Sequence, residues 1–161
     1  MHTHTQTLNR IGLDHDQAAL LANKLNILLA HYTVFYQNTR GYHWNLKGEK
    51  FFELHLKFEE LYNDLQVKID ELAERVLTLG HTPYHTFDDF QANSGIEPTP
   101  NVTNGFTAVN HILDSFEQLL VLQRELLDLS DAAADEGTNA LMSDYIREQE
   151  KLVWMYSAFA G

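Results

Sequence analysis

The segment HWNLKGEKFFELHLKFEELYNDLQVKIDELAER, residues 43–75, sets histidines and carboxylates among Phe, Leu and Ile. A helix turns by about 100° per residue; with His55 at the origin, Leu54, Phe58, Leu61, Leu65, Ile69, Leu72, Val76 and Leu79 gather near about −85°. That is a core stripe. Lys57, Glu60, Asp64, Lys68, Glu71 and Arg75 gather near about 180° and read as the solvent face. His55, Glu59, Asp70 and Glu74 fall between about 0° and about 100°, beside Tyr62, Gln66, Ala73 and Leu77. Carboxylates on a half-buried flank need partners, because an unpaired buried charge is costly.

Two pairs stand out on that flank, His55/Glu59 and Asp70/Glu74, each spaced i, i+4. Such a pair can point two ligands at one place. Imidazole and carboxylate together suit iron, zinc or manganese. Glu59 and Asp70 are 11 residues apart, which is roughly 16 Å along a helix. Metal–ligand bonds are only about 2 Å long, so one helix cannot bring both pairs to one ion. Either two incomplete sites exist, or a second chain completes them. A twofold dimer with this helix antiparallel to its mate would set His55/Glu59 against the other copy's Asp70/Glu74, twice by symmetry. His43, 12 residues before His55 across a tight turn, adds a further imidazole. The spacing alone also allows a salt-bridged interface without metal. The isolated His31 and His111 are expected to be ordinary core or surface residues.

Outward from this segment the chain reads as all-α. Its three prolines, Pro83, Pro98 and Pro100, lie in one region, and the long stretches on either side show helical periodicity. Four long helices are predicted over residues 14–45, 51–79, 103–129 and 136–159, with a turn on Gly48 and a stop at Gly80. The connection 81–101 has room for a short helix over residues 87–92. A long link between the second and third helices suits a ferritin-like bundle with one crossover. The 161 residues read as a single domain, with residues 1–10 a flexible tail.

Composition narrows the chemistry. The absence of cysteine excludes disulfides, thiolate metal sites and thiol catalysis, and fits a reducing cytoplasm. MHTHTQTLNR has no apolar h-region, and no uninterrupted apolar run approaches membrane-span length, so neither secretion nor a membrane is expected. A net charge of −12, from 23 acids against 11 bases, favours cations over a phosphate backbone as partners. Glu125, Asp128, Asp131, Asp135 and Glu136 form an acidic run with no basic residue between them.

The motifs H-W-x-x-x-G, F-x-x-L-H-x-x-x-[DE] and D-x-x-A-E-R of residues 43–75, with WMYSAFAG near the end, resemble the Dps miniferritins (DNA-binding proteins from starved cells). The likeness covers nearly the whole chain. It implies a hollow homo-dodecamer that oxidises Fe(II), preferentially with hydrogen peroxide, stores ferric mineral and protects against oxidative stress. It carries the ferroxidase ligands onto His43, His55 and Glu59 of one chain and Asp70 and Glu74 of its neighbour. Glu59 stands where many relatives have Asp. Trp44 matches the family's Trp beside the site, a redox neighbour or a packing residue. Asp131 and Glu136 match acidic positions of a cation pore, while Ala140 replaces a further acid. Zinc is an expected competitor for iron. The family's basic DNA-binding arm is missing: residues 1–10 hold only Arg10 besides histidines. No DNA binding is therefore expected near neutral pH. The alternatives are a DNA-compacting shell, a metal-free helical assembly, and a larger ferritin, whose E-x-x-H motif this chain lacks.

Overall fold

Polar caps start four of the five helices: Asp14, Thr86, Asn104 and Asp135 each accept a hydrogen bond from the backbone N–H three residues on. Each such cap is worth about 1 kcal/mol. The computed structural model describes residues 7–161. The helices are α1 (His15–Asn45), α2 (Phe51–Thr78), α3 (Phe87–Asn93), α4 (Gly105–Ala132) and α5 (Glu136–Ala160). Among the described residues the only extended pairing is an isolated bridge, Leu8 to Asp14. α2 ends with Gly80 at φ +89°, as expected of a glycine beyond a C-cap. Residues 7–10 are not tail: the Thr7 carbonyl accepts from the His15 N–H, and Asn9 caps the turn before α1. Residues 1–6 lie outside the described residues, so the rest of the expected tail does too.

The four long helices pack as a bundle, α1 chiefly on α2 and α4 chiefly on α5. Leu25 and Phe35 of α1, Phe58 and Leu65 of α2, Phe116 of α4 and Met142 of α5 are fully buried at its centre. Phe35 and Phe116 meet edge to face at 5.2 Å.

Buried residues run round nearly the whole girth of α1. Leu28, Leu29, Ala30, His31 and Tyr32 are consecutive and buried. The connection 79–104 lies over the side that α2 and α4 leave open. Asn26 accepts from the Tyr84 N–H and donates to the Thr82 carbonyl. Asn38 does the same with Thr99 and Glu97. An 18-residue window of α1 has a mean hydropathy of 1.2, apolar enough to cross a membrane, and 61% of that window is buried in the bundle.

The face of α2 assigned to solvent needs correcting. Lys68 is 4% exposed. Its ammonium lies 2.8 Å from Asp64 and 2.9 Å from Glu148 of α5. Burial alone would lower its pKa, but the hydrogen bonds and charges of the two carboxylates outweigh that and raise it. Arg75 likewise reaches α5, at Asp135. Helical angles place a side chain's root; a long cationic side chain rooted beside the core stripe still reaches the next helix.

Candidate metal centre

The turn between α1 and α2 decides the site. Gly48 takes φ +109°, a conformation open to glycine, and the chain reverses within residues 46–50. His43, in the last turn of α1, thereby faces His55, in the first turns of α2. The rings stack with centroids 3.7 Å apart and planes 10° apart. His43 Nδ1 lies 2.6 Å from the His55 carbonyl oxygen, and His55 Nδ1 lies 2.7 Å from the His43 carbonyl oxygen. A carbonyl only accepts, so both Nδ1 atoms carry the proton, and in the neutral rings that a metal requires both Nε2 atoms offer a lone pair. This is how a protein prepares imidazoles to hold a metal through Nε2. The sequence showed the spacing of 12 residues; it did not show that each histidine orients the other through the backbone.

Aromatic rings hold the pair from both sides. Phe51 stacks on His55 at 4.8 Å, and Tyr62 meets His43 edge-on at 5.3 Å. Tyr62 packs on Tyr36, and Arg40 lies over Tyr36 at 5.3 Å and over Trp44 at 4.8 Å. His43 is 8% exposed, whereas Trp44 next to it is 58% exposed. His31, by contrast, is buried beneath the connection, and His111 stacks on Tyr42.

The carboxylates are arranged differently. Glu59 is half-buried, and Asp70 and Glu74 are exposed. Among the described residues none of the three makes a side-chain hydrogen bond or ion pair. Nor do any three His, Cys, Asp or Glu side chains of this one chain converge enough to hold a metal ion. The structure therefore brings His43 and His55 together and leaves Asp70 and Glu74 at a distance, as the helix arithmetic requires. The same face of α2 exposes Phe52 at 84%, Leu56 at 58%, Val67 at 59% and Leu77 at 58%. A stripe this apolar, carrying unpaired carboxylates, has the character of an interface.

The centre of the bundle holds no such donors. Tyr32 donates to Gln123, Gln123 to Gln149, and Gln149 back to Tyr32, at 2.5, 2.9 and 2.6 Å. The ring is closed: each hydroxyl or amide donates to one neighbour and accepts from the other, so none is left unpaired.

The acidic run at the α4–α5 turn also divides. Asp128, Asp131 and Glu136 are exposed and unpaired among the described residues. Glu125 lies 3.4 Å from Lys24. Asp135 is 2% exposed, caps α5 and binds Arg75, so it does not belong to the solvent-facing acids.

Residues 22–161 match the model of the ferritin-like domain family. The chain is 37% identical to the DNA protection during starvation protein of Porphyromonas gingivalis, over 92% of this chain and 94% of that one. The crystal structure of a Dps protein from Vibrio cholerae O1, described as a member of a broad superfamily of ferritin-like diiron-carboxylate proteins, is 53% identical; it superposes with a TM-score of 0.95, covering 99% of this chain and 100% of that one. A Dps protein from Bacillus brevis gives a TM-score of 0.88 at 34% identity, over 91% and 98% of the two chains. With the bundle, its crossover helix and these likenesses together, the chain belongs to the ferritin-like family and, within it, to the Dps miniferritins.

Proposed function

We propose that this protein oxidises Fe(II) at sites shared between two copies, with hydrogen peroxide as oxidant, and stores the ferric product inside a hollow homo-dodecamer in the cytoplasm. The observation that carries the reading is the reciprocal histidine pair: two preset Nε2 lone pairs beside an exposed apolar face that bears unpaired carboxylates. In this reading His43, His55 and Glu59 of one copy and Asp70 and Glu74 of its neighbour hold the iron. Imidazoles suit Fe(II), and hard carboxylates favour Fe(III) as it forms. Peroxide takes one electron from each of two ferrous ions, its O–O bond breaks, and with two protons from solvent both oxygens leave at the level of water, so no hydroxyl radical is released. That balance is the basis of protection against oxidative damage. Trp44, beside the pair and cation-stacked on Arg40, is the redox neighbour for stray one-electron oxidants. Asp131 and Glu136 line the cation approach. Zinc, which accepts the same donors, competes with iron. DNA compaction is the weaker reading: with a chain charge of −12 and Arg10 alone among residues 1–10, phosphate attraction is poor. A gel-retardation assay at neutral pH tests it.

The central test loads the metal-free protein with Fe(II) anaerobically, adds peroxide, and follows ferric absorbance with native mass in parallel. The expected result is rapid oxidation at about two irons per peroxide in a twelve-subunit shell. His43→Ala combined with His55→Ala should leave the shell assembled and slow oxidation by at least about tenfold. An intact wild-type shell that oxidises Fe(II) no faster than buffer would overturn the reading.

A further inference from the structure

We infer that Arg75 is the positioning residue of the Asp70/Glu74 half-site, fixing the end of α2 that carries these two carboxylates. The inference rests on the proposed function for what the half-site does, but its geometry stands apart. Asp70 and Glu74 occupy the last third of α2, which ends at Thr78. Helix ends fray unless something holds them. Two ion pairs join α2 to α5 among the described residues: Lys68 to Glu148, well inside the helix, and Arg75 to Asp135, at its end.

The Arg75 guanidinium is held on three sides. Its NH2 group lies 2.7 Å from Asp135 Oδ1. Its Nε donates to Thr138 Oγ1 at 2.9 Å. Its plane covers Gly137, where a Cβ would come within 2.7 Å of both terminal nitrogens. Asp135 and Thr138 are themselves 2% and 0% exposed and bonded to each other. The anchor is therefore rigid, and the residue it holds is the immediate neighbour of Glu74. A planar fork matched to a carboxylate and a hydroxyl fixes direction as well as distance, which a lysine cannot do. The bond also prevents α2 from twisting about its axis at Glu74, where a small rotation swings a carboxylate away from a partner's imidazoles.

The test uses assembled protein and three variants: Arg75→Lys, Gly137→Ala and His55→Ala. Gly137→Ala is the sharper probe, because it leaves every charge in place and displaces only the guanidinium. Amide hydrogen exchange is measured over residues 70–79, and Co(II) is titrated into the metal-free shell by its visible absorbance. The expected result is faster exchange confined to the end of α2 in Arg75→Lys and Gly137→Ala. Co(II) binding in the same intact shells should be about tenfold weaker with an altered spectrum, the size of loss typical of residues that orient metal ligands. Unchanged exchange in both variants overturns the inference. So does faster exchange with wild-type Co(II) affinity and spectrum. If His55→Ala binds Co(II) as the wild type does, the shared-site reading fails, and the exchange data alone decide whether Arg75 holds the helix end.

Discussion

His31 is a buried imidazole outside the His43/His55 pair. Its Nδ1 lies 2.8 Å from the Ile27 carbonyl, which can only accept, so the proton sits on Nδ1. The Gly95 N–H, 3.4 Å from the same nitrogen, then has no lone pair to use there. Burial lowers the His31 pKa below its ordinary value, and the Ile27 bond opposes that only in part. The unfolded chain therefore takes up a proton here before the folded chain does. The stability involved is intact above about pH 6.5, the unfolded value, and is lost as pH falls from there through the folded pKa. His31→Gln should flatten the fall of the thermal midpoint as pH drops below about 6.5, relative to the wild type. An unchanged slope would mean that other histidines dominate the acid response.

At the scale of elements, the connection between α2 and α4 depends on α1 for its hydrogen bonds. Asn26 and Asn38 each satisfy one N–H and one carbonyl of a segment that has little secondary structure of its own. Asn38→Ala removes both bonds at residues 97 and 99 and leaves backbone groups to find water. The expected loss is about 1–3 kcal/mol, with earlier proteolytic cleavage inside residues 81–104 as the local readout. A loss of stability without faster cleavage there would place the effect elsewhere. Little of this could be read from the sequence. These partners lie 56 to 61 residues apart, and neither periodicity nor turn chemistry links residues so distant. α2 was legible because its apolar residues recur at one angle over 28 residues, and the His43/His55 meeting was legible because a short turn joins them. Lys68 and Arg75 were misplaced for a related reason. An angle locates a Cα, whereas their partners Glu148 and Asp135 sit on a helix whose position the angle does not contain.

For the whole molecule, the question is what covers the exposed face of α2. Phe52, Leu56, Val67 and Leu77 lie within about 40° to about 120° on the helix, the same sector as Glu59, Asp70 and Glu74. A single chain leaves these apolar groups in water and these carboxylates unpaired, and the antiparallel partner of the proposed shared site would cover the first and set imidazoles against the second. Metal binding and assembly then share a surface, so one substitution can separate the explanations. Val67 is 59% exposed and is not among the proposed ligands. Val67→Glu adds a charge to the centre of that face without disturbing the bundle core. In the isolated chain a surface change of this kind shifts stability by no more than about 0.5 kcal/mol. In the assembly it sets like charges near the twofold axis, where burial makes them costly. The variant should remain helical by circular dichroism, shift by native mass toward smaller species, and lose peroxide-dependent iron oxidation in step with the loss of shell. Full assembly with full oxidation would show that α2 does not face its mate, and the Asp70/Glu74 half-site would then need another partner.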